Sequence, residues 1–120
     1  MSDTASMGAR GEELAAGYLR QHGYTIRDRN WRSGRTEIDI IAENSEFIVF
    51  AEVKTRASDY QVHPRDAVNV PKQRTIIFAA SNYINRFNLA KEARFDIITV
   101  IFSGSDCEID HIENAFYPTM

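Results

Sequence analysis

The sequence predicts an α/β fold in which a mixed sheet is flanked by helices, and three features of the pattern carry that prediction. A helical stripe at the N-terminus runs into three strand-like segments. A second helical stripe opens at Pro71. A β-branched and aromatic run, Arg94 to Phe102, follows it. A strand, a helix and another strand in that order form a crossover, which pairs strands in parallel and lays the helix on a sheet face.

Each element has a local reason. From about Ser6 to His22, Leu14, Ala15, Tyr18 and Leu19 recur at helical spacing, and Gly23 is a natural stop. Tyr24 to Asn30 alternates as a short first strand, and Arg32 to Arg35 reads as a loop. Strands are expected at about 36–42 and 47–55, joined by the polar Glu43-Asn44-Ser45-Glu46. Residues 57–70 form a polar connection with room for one helical turn. Pro71 suits the first turn of a helix because no helical hydrogen bond is lost there. Ile76, Ile77, Ala80, Tyr83, Ile84 and Phe87 extend that helix to about Phe87. The run 94–102 reads as a strand buried on both faces. Ser103 to Asp106 is a turn, Glu108 to Ile112 a short edge strand, and Ala115 to Met120 a tail.

At 120 residues the chain is expected to be one domain, residues 1–120. No apolar run is long enough to cross a membrane, and the first residues lack the pattern of a secretory signal. The lone Cys107 excludes an internal disulfide framework and fits a reducing cytoplasm. His22, His63 and His111 lack ligand-like spacing, so a zinc site has little support. The net charge of −3 argues mildly against a nucleic-acid partner. The acids concentrate after residue 91, however. Arg27, Arg29, Arg32 and Arg35 surround Trp31, and Arg56, Arg65, Lys72 and Arg74 follow the hairpin. Such a set can hold phosphates while the ring stacks on a base. The plain alternative is a salt-bridged surface with Trp31 as a packing anchor.

Three charges interrupt the apolar hairpin: Asp39, Glu52 and Lys54. Glu52 and Lys54 share a strand face. If Glu43 pairs with Glu46, Asp39 lies opposite Phe50 and one diagonal step from Glu52, with Cβ atoms roughly 7–8 Å apart. Two carboxylates at that distance can converge on one hard divalent cation, as in a magnesium-dependent phosphodiesterase. Ile38, Ile40, Ala42, Val49, Ala51 and Val53 then form the core layer on the other face. A one-residue slip would separate the carboxylates. The plain alternative is an exposed charge pair worth under about 1 kcal/mol.

An Asp followed by Glu-x-Lys on the next strand, in an αβββαβ order, resembles the PD-(D/E)XK nuclease superfamily. More closely, residues 8–118 resemble the YraN-like family of small bacterial proteins with a restriction-endonuclease-like fold. The resemblance rests on Gly11 to Ala16, Asn30-Trp31-Arg32, Glu37 to Ala42, Val49 to Arg56, Lys72-Gln73-Arg74 and Arg94 to Ile98. Thr36 stands where the family usually has glycine. The resemblance implies that Asp39, Glu52 and the Val53 carbonyl hold Mg²⁺ or Mn²⁺. It implies that Lys54 orients or deprotonates the attacking water, or stabilises the phosphorane-like charge. In the Holliday-junction-resolvase-like branch a first-helix carboxylate joins the site, which points to Glu12. Glu37 and Gln73 are candidates by position, each equally readable as a surface group. Asp96 reads as a structural partner of Arg94 or Arg32. The expected function is metal-dependent hydrolysis of nucleic acid, DNA first, with branched or single strands as candidate substrates. Junction cutting needs paired sites, hence a homodimer or protein partner. The alternative is a catalytically weak nucleic-acid-binding or adaptor module on the same fold.

Overall fold

Among the described residues of the computed structural model, 4–58 and 68–118, the elements run in the predicted order. They are α1 (Thr4–Gln21), β1 (Thr25–Ser33), β2 (Thr36–Glu43), β3 (Phe47–Ala57), α2 (Val70–Phe87), β4 (Glu92–Ser103) and β5 (Asp106–Phe116). The sheet is ordered β1-β2-β3-β4-β5, with β3 and β4 parallel and the other neighbours antiparallel. The expected mixed sheet is therefore present. Most of the polar connection, residues 59–67, lies outside the described residues.

The two helices cover opposite faces. Ala15, Ala16 and Leu19 of α1 are fully buried against Ile40, Ala42, Ala51, Ile98 and Val100. Ile76, Ala79, Ala80 and Tyr83 of α2 pack on Ile41, Ile48, Phe50, Phe95 and Ile97. Ile97 and Ile98 thus belong to different faces, and β4 is buried on both, as its composition requires. Asn69 caps α2 by accepting the Lys72 N–H at 2.9 Å, with Pro71 in the first turn. Asn88, in the left-handed region at φ 54°, closes the other end.

Four expectations need correction. The hairpin is shifted by two residues: Ile41, not Asp39, faces Phe50, and Glu43 pairs with Ile48. The Asn44 side chain sets this register by accepting the N–H groups of Glu46 and Phe47. A two-residue shift preserves facing, so the register change alone does not separate the carboxylates. Second, Ile38 leaves the layer of Ile40 and Ala42 and joins the core under α2. Alternation breaks at Asp39. Third, the segment expected as a loop at 32–35 is half strand: Arg32 and Ser33 belong to β1, and Gly34 and Arg35 form the turn. Fourth, β5 runs to Phe116, into the expected tail, because Phe116 stacks on Phe95 with centroids 5.3 Å apart.

One buried polar cluster ties β4 to β5 and α1. Asp96, fully buried, accepts two hydrogen bonds from Arg94, at 3.0 and 2.8 Å, and one from the Asn114 N–H. His111 Nε2 lies 2.7 Å from the same carboxylate, and its Nδ1 lies 3.1 Å from the Tyr18 hydroxyl. Burial raises the pKa of Asp96, but hydrogen bonds from His111, Arg94 and Asn114 outweigh it and hold the carboxyl below its ordinary range. The expected pairing with Arg94 is observed.

Candidate carboxylate site

At one end of the sheet, β2 begins, β3 ends and α2 takes its first turn. The β2–β3 ladder reaches Ile40 and Ala51, one step short of Asp39 and Glu52. Asp39 Oδ2 there accepts the Val53 N–H at 2.8 Å. In a strand a residue's N–H and C=O project toward the same edge, so the Val53 carbonyl faces the Asp39 side as well. Burial pushes the Asp39 carboxyl up to about 7, with the negative charge of Glu52 next in weight and those of Glu12 and Glu37 adding to it. The Val53 hydrogen bond pulls the other way. Asp39 is thus the focus of a negative field from three neighbouring acids.

Glu52 continues the face of Ile48 and Phe50, toward α2, and Lys72 Nζ of α2 lies 2.7 Å from its Oε2. Lys54 follows on the same face, half-buried. Glu12 accepts the side-chain N–H of Asn30 at 3.0 Å. Asn30 sits in β1 with φ 53°, between the ladder pairs Arg29–Ile40 and Trp31–Ile38, opposite Asp39. Asparagine tolerates this left-handed geometry better than most residues. Gly11 makes the approach of α1 feasible, since a Cβ at that position would lie 2.3 Å from Thr55 Oγ1 on β3. The helix can come this close to the sheet only at a residue without a side chain, and that approach delivers Glu12.

Other predicted residues lie elsewhere. The Gln73 side chain donates to the Val68 carbonyl at 2.7 Å and lines, with Arg74, a groove on α2. Arg29 is ion-paired with Glu13 at 2.8 Å. Trp31 is packed edge-on against Tyr83, with centroids 5.1 Å apart, beside the core under α2. Arg32 and Arg35 are exposed, Arg32 across the ladder from Glu37. Arg56 donates to the Thr55 carbonyl. Asn30 and Gly11 received no role from sequence reasoning. A helix glycine and a mid-strand asparagine were their only visible signals.

Among the described residues no three His, Cys, Asp or Glu side chains gather closely enough to hold a metal ion. The available donors are therefore two carboxylates, Asp39 and Glu52, and the Val53 carbonyl. That set fits Mg²⁺, which takes oxygen ligands, commonly binds through one or two carboxylates, and keeps several waters. Glu12, held by Asn30, stands behind it.

The family model of the uncharacterised protein family UPF0102 matches residues 11–100, which span the carboxylates and both helices' contacts with the sheet. A UPF0102 protein of Bacteroides thetaiotaomicron is 43% identical over 120 residues, covering 100% of this chain and 99% of the relative. One from Phocaeicola vulgatus is 43% identical over 118 residues, covering 98% of each chain. One from Chlorobium phaeobacteroides is 43% identical over 122 residues, covering 96% of each.

Proposed function

We propose a function from the premise that the chain belongs to the uncharacterised protein family UPF0102, a membership that bears out the YraN-like resemblance and names no chemistry. The chain is a metal-dependent nuclease of the PD-(D/E)XK type, acting on nucleic-acid phosphodiesters, DNA foremost. The observation that carries this reading is Asp39 bound to the Val53 N–H with Glu52 near enough to raise its pKa, and Lys54 on the strand face of Glu52.

Asp39, Glu52 and the Val53 carbonyl would hold Mg²⁺ or Mn²⁺. Such an ion supplies a bound water of lowered pKa and neutralises charge developing on the scissile phosphate. The remaining work falls to the chain. Lys54 orients the attacking water and stabilises the negative charge of the phosphorane-like transition state. As the water oxygen bonds phosphorus it releases a proton to solvent, the bond to the leaving sugar oxygen breaks, and that oxygen takes up a proton from solvent. Asn30 fixes Glu12, whose charge adds to the field at Asp39. Arg32 and Arg35 are exposed at the β1–β2 end and available for the phosphate backbone.

One observation favours a second reading, a binding or adaptor module without efficient catalysis: the Lys72 ammonium already occupies Glu52. A single assay separates the two. Labelled duplex, single-stranded, flapped and four-way-junction DNA, with RNA in parallel, are incubated in Mg²⁺, Mn²⁺ or EDTA with the protein, Asp39→Ala and Lys54→Ala. The nuclease reading expects cutting that needs the ion and is lost in both variants. Undiminished cutting by both variants sinks it. Salt-sensitive binding without any cutting supports the module.

A further inference from the structure

The first turn of α2 faces two ways. Lys72 reaches Glu52, while the next two residues, Gln73 and Arg74, open into a groove of about 420 Å³ that α2 shares with the chain beyond β5. Its size is in the range of small-ligand pockets. Two aromatic rings stand exposed at this groove, Phe78 (69%) and Tyr117 (60%), with Val70 also exposed beside them. Neither ring is needed by the core, which Tyr83 and Phe116 fill from the same elements. Arg74, Gln73 and Ser81 supply polar edges, and among the described residues no acid lines the groove. The whole of α2 carries Lys72, Arg74 and Arg86 and no acid, in a chain whose net charge is −3. An exposed aromatic surface beside the Arg74 guanidinium suits a flat, apolar group tethered to a phosphate.

We propose that the groove walled by Phe78 and Tyr117 seats an unpaired nucleobase of the same strand whose phosphate reaches the carboxylates. This rests on nucleic acid as the substrate class of that site and narrows it to strands with at least one base out of the duplex. The base stacks on the rings, Gln73 and Ser81 meet its edge, and Arg74 holds an adjoining phosphate. Stacking of this kind is tolerant of base identity. The groove therefore selects strand form rather than sequence.

The test is made in EDTA, so that binding is read without cutting. A short single strand carrying 2-aminopurine, as DNA and as RNA, is titrated with the protein, Phe78→Ala, Tyr117→Ala and Tyr117→Phe, beside a fully paired duplex. Quenching of the single-strand probe is expected, with affinity reduced about tenfold in Phe78→Ala and Tyr117→Ala and retained in Tyr117→Phe. The DNA and RNA arms identify the strand. Unchanged single-strand binding in both alanine variants overturns the proposal, even where metal-dependent cutting is intact. Sedimentation showing a wild-type dimer that Phe78→Ala converts to monomer also overturns it, since a second copy then occupies the groove. Quenching that depends on Phe78, without cutting under any condition, supports the groove and removes the nuclease reading alone.

Discussion

The Lys72 ammonium lies 2.7 Å from Glu52 Oε2, so the first turn of α2 neutralises one of the two carboxylates that a cation would need. Lys72 is half exposed, which limits the pair to under about 1 kcal/mol. Lys72→Ala is expected to tighten Mn²⁺ binding by about two- to fivefold in calorimetry, because the ion no longer competes with an ammonium. The same variant should bind single strands more weakly. A Mn²⁺ affinity unchanged by Lys72→Ala would show that Glu52 is not a ligand.

Asp39 makes stability depend on pH. Its folded value of about 7 lies above the ordinary 3.8, so between those values the folded protein keeps a proton that the unfolded chain releases. The stability tied to that proton is complete below 3.8 and is lost as pH rises through about 7. Asp39→Asn keeps an acceptor for the Val53 N–H and has no charge to bury. It should melt above the parent at pH 8, by a few degrees, with the gap narrower at pH 5. Added Mg²⁺ should stabilise the parent at pH 8 and leave the variant unaffected. Parallel melting curves for the two proteins across this range would refute the assignment.

Gly11 and Thr55 set the depth at which α1 sits. Gly11→Ala forces a methyl group onto the stiff, β-branched Thr55, and overpacking of this kind costs roughly 1–3 kcal/mol. Removing the hydroxyl in the double variant with Thr55→Ala should restore most of that loss in urea unfolding. A double variant no more stable than Gly11→Ala would mean that the contact does not limit the approach.

Asp96→Ala should be the most damaging of these changes. It leaves the buried Arg94 guanidinium without its main counter-charge, a situation that costs on the order of 3–5 kcal/mol. Asp96→Asn, which keeps acceptor capacity, should cost less. Because the Asp96 pKa is lowered, the stability it contributes is full above the ordinary value of 3.8 and fades as pH falls below it. Chemical unfolding at pH 7 and pH 3 reads both effects. Equal losses at the two pH values would show that the carboxylate contributes nothing ionised.

Much of this was legible in the sequence. The elements were, because burial on alternate positions in strands and at helical spacing in α1 and α2 leaves a direct imprint on residue type. The nearness of Asp39 to Glu52 was, because charge inside an apolar hairpin stands out. The hairpin register was not. Four polar residues admit more than one pairing, and Asn44, whose side chain holds Glu46 and Phe47, was the decisive one. Asn30 escaped because a left-handed residue in mid-strand leaves no periodic trace. The turning of Trp31 inward and the reach of Lys72 to Glu52 depend on where α2 lands, which local pattern does not encode.

The parallel pairing of β3 with β4 across α2 also dictates an order of assembly. β1, β2 and β3 can zip through short turns as soon as they exist, and so can β4 with β5. The eleven paired positions from Phe47–Glu92 to Ala57–Phe102 must wait for a whole helix to fold across. Until then β3, the most apolar strand of its hairpin, offers a bare edge to any other copy of the chain. Its permanent cover is β4, and beyond that β5, whose Asp106, Glu108, Asp110 and Glu113 give the finished sheet an outer strand that repels its own kind. The exposure of the β3 edge is thereby confined to the interval before the crossover closes.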